Sequence, residues 1–185
     1  MLIEVRWHGR GGQGIVTVSR LLAHAALLDG KYVQAFPEFG PERRGAPVNG
    51  YTRISDEPIV IHSHIYTPNI VVIVDPTLLG KIDVTRGLVE GGTVVAHSEK
   101  KPEDLRKELG VEKASVYTVN AARIALDILG KPIYNTAMLG ALIRAVPLVS
   151  MESLVKVIKE RFPGAIGEKN VAVIKRAYEE VRGVE

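Results

Sequence analysis

Leu2-Ile3-Glu4-Val5-Arg6-Trp7-His8-Gly9-Arg10-Gly11-Gly12-Gln13-Gly14 is an extended, apolar-rich run that breaks into a glycine-dense turn. Beyond it Ile15, Val18, Leu21, Leu22, Ala25 and Leu28 recur at helical spacing, so the segment reads as strand, turn and helix. Gly9-x-Gly11-x-x-Gly14 in that setting meets the dinucleotide-binding pattern. The glycines permit close backbone approach, and the helix N-terminus offers free N–H groups and partial positive charge to a phosphate. Arg10 adds a bidentate donor at the same place. The same glycines would also serve simply to pack a tight turn between helix and sheet, and both readings stand. An acid at the end of the next strand, which would hold the ribose of NAD, is missing. That region reads Gln34-Ala35-Phe36-Pro37, with Glu38 beyond the proline, so ordinary NAD binding is disfavoured.

Working outward, Gly30 is placed to end the first helix, and Tyr32–Phe36 supplies a second strand whose crossover favours parallel pairing with the first. Pro37 to Pro47 carries three prolines and two glycines around Glu42-Arg43-Arg44, a loop long enough to suspect a function. Arg43 and Arg44 beside Gly45 are suited to clamp a phosphate or carboxylate, or to contact another chain. Val48–Ser55 followed by Ile59–His62 suggests a hairpin, which would make the sheet mixed. Ile70–Val74, Thr93–Ala96 and Ser115–Thr118 are β-branched runs of the kind buried on both faces of a sheet. A short helical stretch after Asp75-Pro76 and another over Pro102–Leu109 separate them. Four helices follow, over Ala121–Leu129, Thr136–Ala145, Met151–Phe162 and Gly167–Val181. The expectation is an α/β fold: a Rossmann-like, mixed but mostly parallel twisted sheet flanked by helices, with a helical C-terminal part, in a single domain over residues 1–185.

Composition narrows the function. No cysteine occurs among the 185 residues, so this chain holds no disulfide, iron–sulfur cluster or thiolate zinc by itself. Lys and Arg exceed Asp and Glu by 24 to 21, with no basic stripe, so nucleic acid is not an expected partner. The most apolar later stretch, Ala137–Val149, is cut by Arg144 and Pro147 and falls short of the ~20 residues needed to span a bilayer. No membrane partner and no signal segment are expected, and a cytoplasmic location is. Asp75 before Pro76 is a helix start signal more than a catalytic acid, and Asn120 and Asn135 read as N-caps. His62 and His64 are two apart with no third ligand nearby, which disfavours a metal; His8, His24 and His97 show no partner. One binding turn and one stiff loop stand out, without a set of catalytic groups.

Two stretches carry a family resemblance: Arg6-Trp7-His8-Gly9-Arg10-Gly11-Gly12-Gln13-Gly14, and Tyr32-Val33-Gln34-Ala35-Phe36-Pro37-Glu38-Phe39-Gly40-Pro41-Glu42-Arg43-Arg44-Gly45-Ala46-Pro47. It continues through Asp75-Pro76-Thr77, Asn120–Ala125, Asn135–Ala141 and Glu168-Lys169-Asn170. In these the chain resembles the gamma subunits of 2-oxoacid:ferredoxin oxidoreductases, most closely the pyruvate:ferredoxin oxidoreductase (pyruvate synthase) type. The resemblance implies one subunit of a multi-chain enzyme with alpha, beta and delta partners. That enzyme decarboxylates a 2-oxoacid on thiamine diphosphate, passes electrons through [4Fe–4S] clusters to ferredoxin as acceptor, and transfers the acyl group to coenzyme A. Thiamine diphosphate and the clusters would lie on the partner subunits, and this chain would help to bind coenzyme A. Gly9, Arg10, Gly11, Gly12, Gln13 and Gly14 are carried over as the candidate anion site, with Arg43, Arg44 and Gly45 as candidates for ligand or subunit contact. Substrate choice would belong to the other subunits. The rival readings are a self-sufficient oxidoreductase using NADP or a flavin, and a purely structural scaffold.

Overall fold

The structure, a computed structural model, describes residues 1–38 and 44–185. Seven strands form one sheet: β1 (Leu2–Arg10), β2 (Tyr32–Pro37), β3 (Pro47–Ser55), β4 (Ile70–Ile73), β5 (Thr93–His97), β6 (Ser115–Val119) and β7 (Arg182–Val184), in the order β2-β3-β1-β4-β5-β6-β7. Strands β1, β4, β5 and β6 are parallel, and antiparallel pairs flank them on both sides. The expected mixed α/β sheet with a parallel core is therefore present, but its first crossover differs. Strand β2 does not pair with β1; β3 lies between them, antiparallel to each. The expected hairpin partner at Ile59–His62 forms no strand, and the residues after Ser55 run as irregular chain across the sheet. β3 already has both edges occupied, by β1 and β2, so no edge remains for a further strand.

Helix α1 (Ile15–Leu28) follows β1. Gly30 ends it with a left-handed φ of 81°, its N–H donating to Leu27 O, as expected of a glycine stop. α2 (Pro102–Leu109), α3 (Ala121–Leu129), α4 (Asn135–Ala145), α5 (Met151–Arg161) and α6 (Ala165–Glu180) complete the helical set among the described residues. The strand β7 after α6 was not legible in advance: three residues, two of them exposed, carry no apolar alternation.

The strand period of two assigns opposite roles to the faces of β1 and β3. Val5, Trp7 and Ile54 point into the larger apolar core beneath α1, α4, α5 and α6. Trp7 Nε1 donates to Thr52 Oγ1, which donates in turn to Ser19 O of α1, so the buried polar atoms there are matched. Glu4, Arg6, His8, Asn49, Tyr51 and Arg53 occupy the opposite face. A smaller apolar core on that side covers only the β4–β6 half, where Val71, Ile73, Val94 and Val116 pack with Leu78, Val84 and Leu105 of α2.

Candidate functional site

Strand β1 extends through Arg10, so Gly9 and Arg10 belong to the strand and the turn proper begins at Gly11. A Cβ on Gly9 would lie 2.2 Å from Ile15 Cδ1; this glycine lets α1 pack on β1. Gly12 and Gly14 are the conformational glycines, with φ of 89° and 73°. Gly14 caps α1, and no side chain fills the cap, so the first-turn N–H groups are left to other acceptors.

Two candidate stretches meet here. Gly11 forms a bridge with Arg44; Gly11 N donates to Ala46 O at 2.8 Å and Gly45 N to Gly11 O at 3.0 Å. Arg44 Nε lies 3.8 Å from where a Cβ on Gly12 would stand. The glycine turn and the end of the arginine loop are thus one structure, and Arg43 lies outside the described residues.

Arg10 is largely engaged within the fold. Its Nε donates to Thr77 Oγ1 at 3.0 Å and lies 3.3 Å from Asp75 Oδ2, while Nη1 donates to Gly45 O at 3.0 Å. Gln13 closes the turn, accepting from Arg10 N through Oε1 and donating to Asp75 Oδ2 through Nε2 at 2.6 Å. Asp75 caps the 3-10 turn at Pro76–Leu78 through Thr77 N, as its sequence predicts, and ties the end of β4 to the glycine turn. Burial alone would raise the Asp75 carboxyl; donors from Thr77 and Gln13 and the Arg10 charge outweigh it and hold its pKa below the ordinary range.

The chain leaves β1 toward β2 and β3 but leaves β4 toward β5, so this crevice is a topological switch point of the sheet. Gly12, Gln13 and Gly14 line a cavity of about 240 Å³ there with Pro132, Ile133, Tyr134 and Asn135. Nothing in the sequence spacing joins those residues to the turn. Asn120 caps α3 by accepting from Arg123 N, as expected, whereas Asn135 is not the cap of α4. Its Nδ2 donates to Gly14 O at 3.3 Å, because α4 begins one residue earlier and brings the amide against the turn. The Tyr134 ring packs tilted against His97, centroids 4.6 Å apart, and burial lowers the His97 pKa. His97 has partners the sequence does not reveal: Ala121 N donates to its Nδ1 at 3.2 Å. His64 sits in an aromatic group with Phe36, Tyr51 and Tyr66. Among the described residues no helix is long and apolar enough to cross a membrane.

Comparison with known proteins bears on this arrangement. The family described as "Pyruvate ferredoxin/flavodoxin oxidoreductase" matches residues 4–180. The chain is similar to the "Pyruvate/ketoisovalerate oxidoreductases common subunit gamma" of Thermococcus litoralis, 52% identical over 178 residues and 96% of each chain. It is 49% identical over 181 residues to "Pyruvate synthase subunit PorC" of Methanothermobacter marburgensis, covering 98% of each. Among solved structures it resembles pyruvate oxidoreductase subunit PORC of Thermotoga maritima, with a TM-score of 0.89 and 40% identity over 100% of this chain and 99% of that one.

Proposed function

This chain belongs to the pyruvate ferredoxin/flavodoxin oxidoreductase family as a gamma-type subunit of a 2-oxoacid:ferredoxin oxidoreductase complex, and on that premise we propose that its glycine turn holds a phosphate-bearing end of coenzyme A. The observation that carries the reading is the uncapped N-terminus of α1 beside the positive-φ glycines Gly12 and Gly14, at the mouth of the 240 Å³ cavity. Backbone N–H groups and the helix dipole at such a terminus favour an anion. The cavity suits part of the ligand, an adenine or a diphosphate, and the remainder would extend toward the partner subunits. Gly12 and Gly14 supply the approach, Gln13 and Arg10 brace the turn, and Arg44 and Gly45 close its other side.

The reaction assigned to the complex is oxidative decarboxylation of pyruvate to acetyl-coenzyme A. The alpha and beta partners would hold thiamine diphosphate, and the beta and delta partners the [4Fe–4S] clusters that pass electrons to ferredoxin. The whole chain acts as one gamma-type domain, and a cytoplasmic location goes with this reading. A self-sufficient NADP or flavin enzyme fits less well. In a dinucleotide fold the strand after the first crossover lies beside β1 and brings a ribose contact, but here β3 occupies that position.

Calorimetry on the assembled complex tests the site. Gly12→Val places a branched side chain at φ 89° in the cradle and is expected to weaken coenzyme A at least tenfold while the subunits remain associated. Unchanged affinity would remove the turn from the site. Recovery of this chain from its native cell without thiamine- or cluster-binding partners would overturn the subunit assignment.

A further inference from the structure

On the face of β1 turned away from α1, Arg6, His8, Asn49 and Tyr51 open onto a cavity of about 750 Å³, walled also by His64, Tyr66, Ile82, the acids Glu38 and Asp83 and the cation Arg86. That volume lies in the range of small-molecule sites, and an apolar, aromatic lining with a few converging polar groups is their usual make-up. Two groups at its floor lack what burial demands. Arg6 is 7% exposed, and its hydrogen-bond partners among the described residues are Val84 O at 3.2 Å, Arg86 O at 2.6 Å and His8 Nε2 at 2.9 Å; none of these is an acid. Asp83, the nearby carboxylate, accepts from Thr85 N and Oγ1 through Oδ1 and acts on Arg6 only at longer range. His8 is 3% exposed, and because its Nε2 accepts from Arg6 the proton of the neutral ring sits on Nδ1. That Nδ1–H has no hydrogen-bond partner among the described residues.

A nearby arginine on the same face shows what satisfaction looks like. Arg53, 1% exposed, pairs with Glu4 at 2.7 Å, donates to Gln34 Oε1 and to Ser63 O and His64 O, and lies over the Phe36 ring. A buried cation without a direct ion pair and a buried donor without an acceptor both cost stability. Among the described residues Arg6 and His8 carry these two deficits at the floor of one cavity.

We infer that this cavity is a binding site for a small monocarboxylic acid with a flat or apolar body, its carboxylate taken by Arg6 and His8 Nδ1–H and its body by Tyr51, His64 and Tyr66. A carboxylate matches in number, two oxygens for the two kinds of donor that Arg6 and His8 present, at a cavity where the guanidinia of Arg6 and Arg86 stand against the acids Glu38 and Asp83. A phosphate dianion would bring a second negative charge against Glu38 and Asp83. The site lies on the opposite face of β1 from the coenzyme A cradle and does not depend on that assignment.

Benzoate is the probe. Added to the purified chain and followed through the His8 ring resonances by nitrogen-15 NMR, it should give a saturable shift. The same titration should be at least tenfold weaker in Arg6→Gln and in Tyr66→Ala. Tyr66 is 70% exposed, so its removal spares the fold and keeps the test decisive if Arg6→Gln unfolds. Absence of a saturable shift, an unchanged affinity in Tyr66→Ala, or displacement by equimolar inorganic phosphate would overturn the inference. So would binding to the free chain that disappears in the assembled complex, since the pocket would then belong to an acidic side chain of a partner subunit.

Discussion

The glycine turn at the end of β1 and the cavity face of that strand answer their polar groups in opposite ways. Toward the glycine turn, Arg10, Gln13, Asp75 and Asn135 all have partners within the fold, and what remains for a ligand is backbone N–H at the start of α1. Toward the large cavity, among the described residues, Arg6 makes no direct ion pair and His8 has an unanswered N–H. A sequence motif can therefore mark the scaffold of a site while its conspicuous side chains are spent holding the scaffold together. The side chains that remain unspent stand on a face that carries no motif.

The largest expected effect separates the two regions by pH. Burial, reinforced by the Arg6 charge, lowers the His8 pKa to about 3, against an ordinary value near 6.5. Between those values the unfolded chain takes up a proton that the folded chain refuses, so stability falls with pH by up to ~1.4 kcal/mol per unit, about 3 kcal/mol by pH 4. His97, also lowered by burial, adds in the same direction. Asp75 has its pKa depressed in the fold, so its contribution is present above about 3.9, the unfolded value, and is lost as pH falls through its folded pKa. The cavity face should thus weaken first on acidification and the glycine turn only later. Urea unfolding from pH 7 to pH 4 measures it. His8→Gln keeps an acceptor for Arg6 without titrating and should remove the steeper part of the slope; an unaltered slope would show that His8 does not refuse the proton.

Next comes the glycine whose role is packing. Gly9→Ala sets a Cβ against Ile15 Cδ1 at 2.2 Å and Cγ1 at 2.7 Å, and overpacking of this kind costs typically about 2 kcal/mol. Ile15→Val removes the nearer atom and should recover part of that loss, so a double-mutant cycle in urea would show coupling between the two. Additive losses would mean that α1 is free to move away.

Asp75→Asn is expected to cost less, about 1.5 kcal/mol, the scale of a hydrogen bond to a charged group. An amide keeps one acceptor for Thr77, but its NH₂ would face the donors of Gln13 or Arg10. The same change should loosen coenzyme A in the complex and leave benzoate binding on the other face unaltered, as NMR and calorimetry on the two ligands would show.

Local pattern made the helices legible almost to the residue: α1, α2 and α3 have the expected ends, because apolar spacing and glycine or proline stops act within one turn. Pairing was less legible. The crossover after α1 favoured β2 beside β1, yet β3 intervened, since strand order is settled by the whole sheet and not by adjacent segments. At the site, the glycines and the Asp75 cap could be read because each does a local job. Asn135, Tyr134 and His97 could not, because they reach the turn through contacts between distant elements. Arg6 and His8 did leave a trace, as polar residues alternating with Val5, Trp7 and Gly9, but alternation tells only that a face is polar and not whether its groups find partners.

The smallest expected effect tests the comparison at the cavity itself. Tyr66 is 70% exposed, its ring meets His64 at 6.2 Å, and its backbone carbonyl crowds Gly87 whatever the side chain. Replacing an exposed side chain of this kind generally changes stability by no more than ~0.5 kcal/mol. Tyr66→Ala should accordingly unfold in urea within that margin of the parent chain while losing its hold on benzoate. A loss of more than about 1 kcal/mol would mean that Tyr66 belongs to the structural aromatic group of Phe36, Tyr51 and His64. The cavity wall would then be part of the core, and the contrast between a satisfied face and an unsatisfied one would rest on Arg6 and His8 alone.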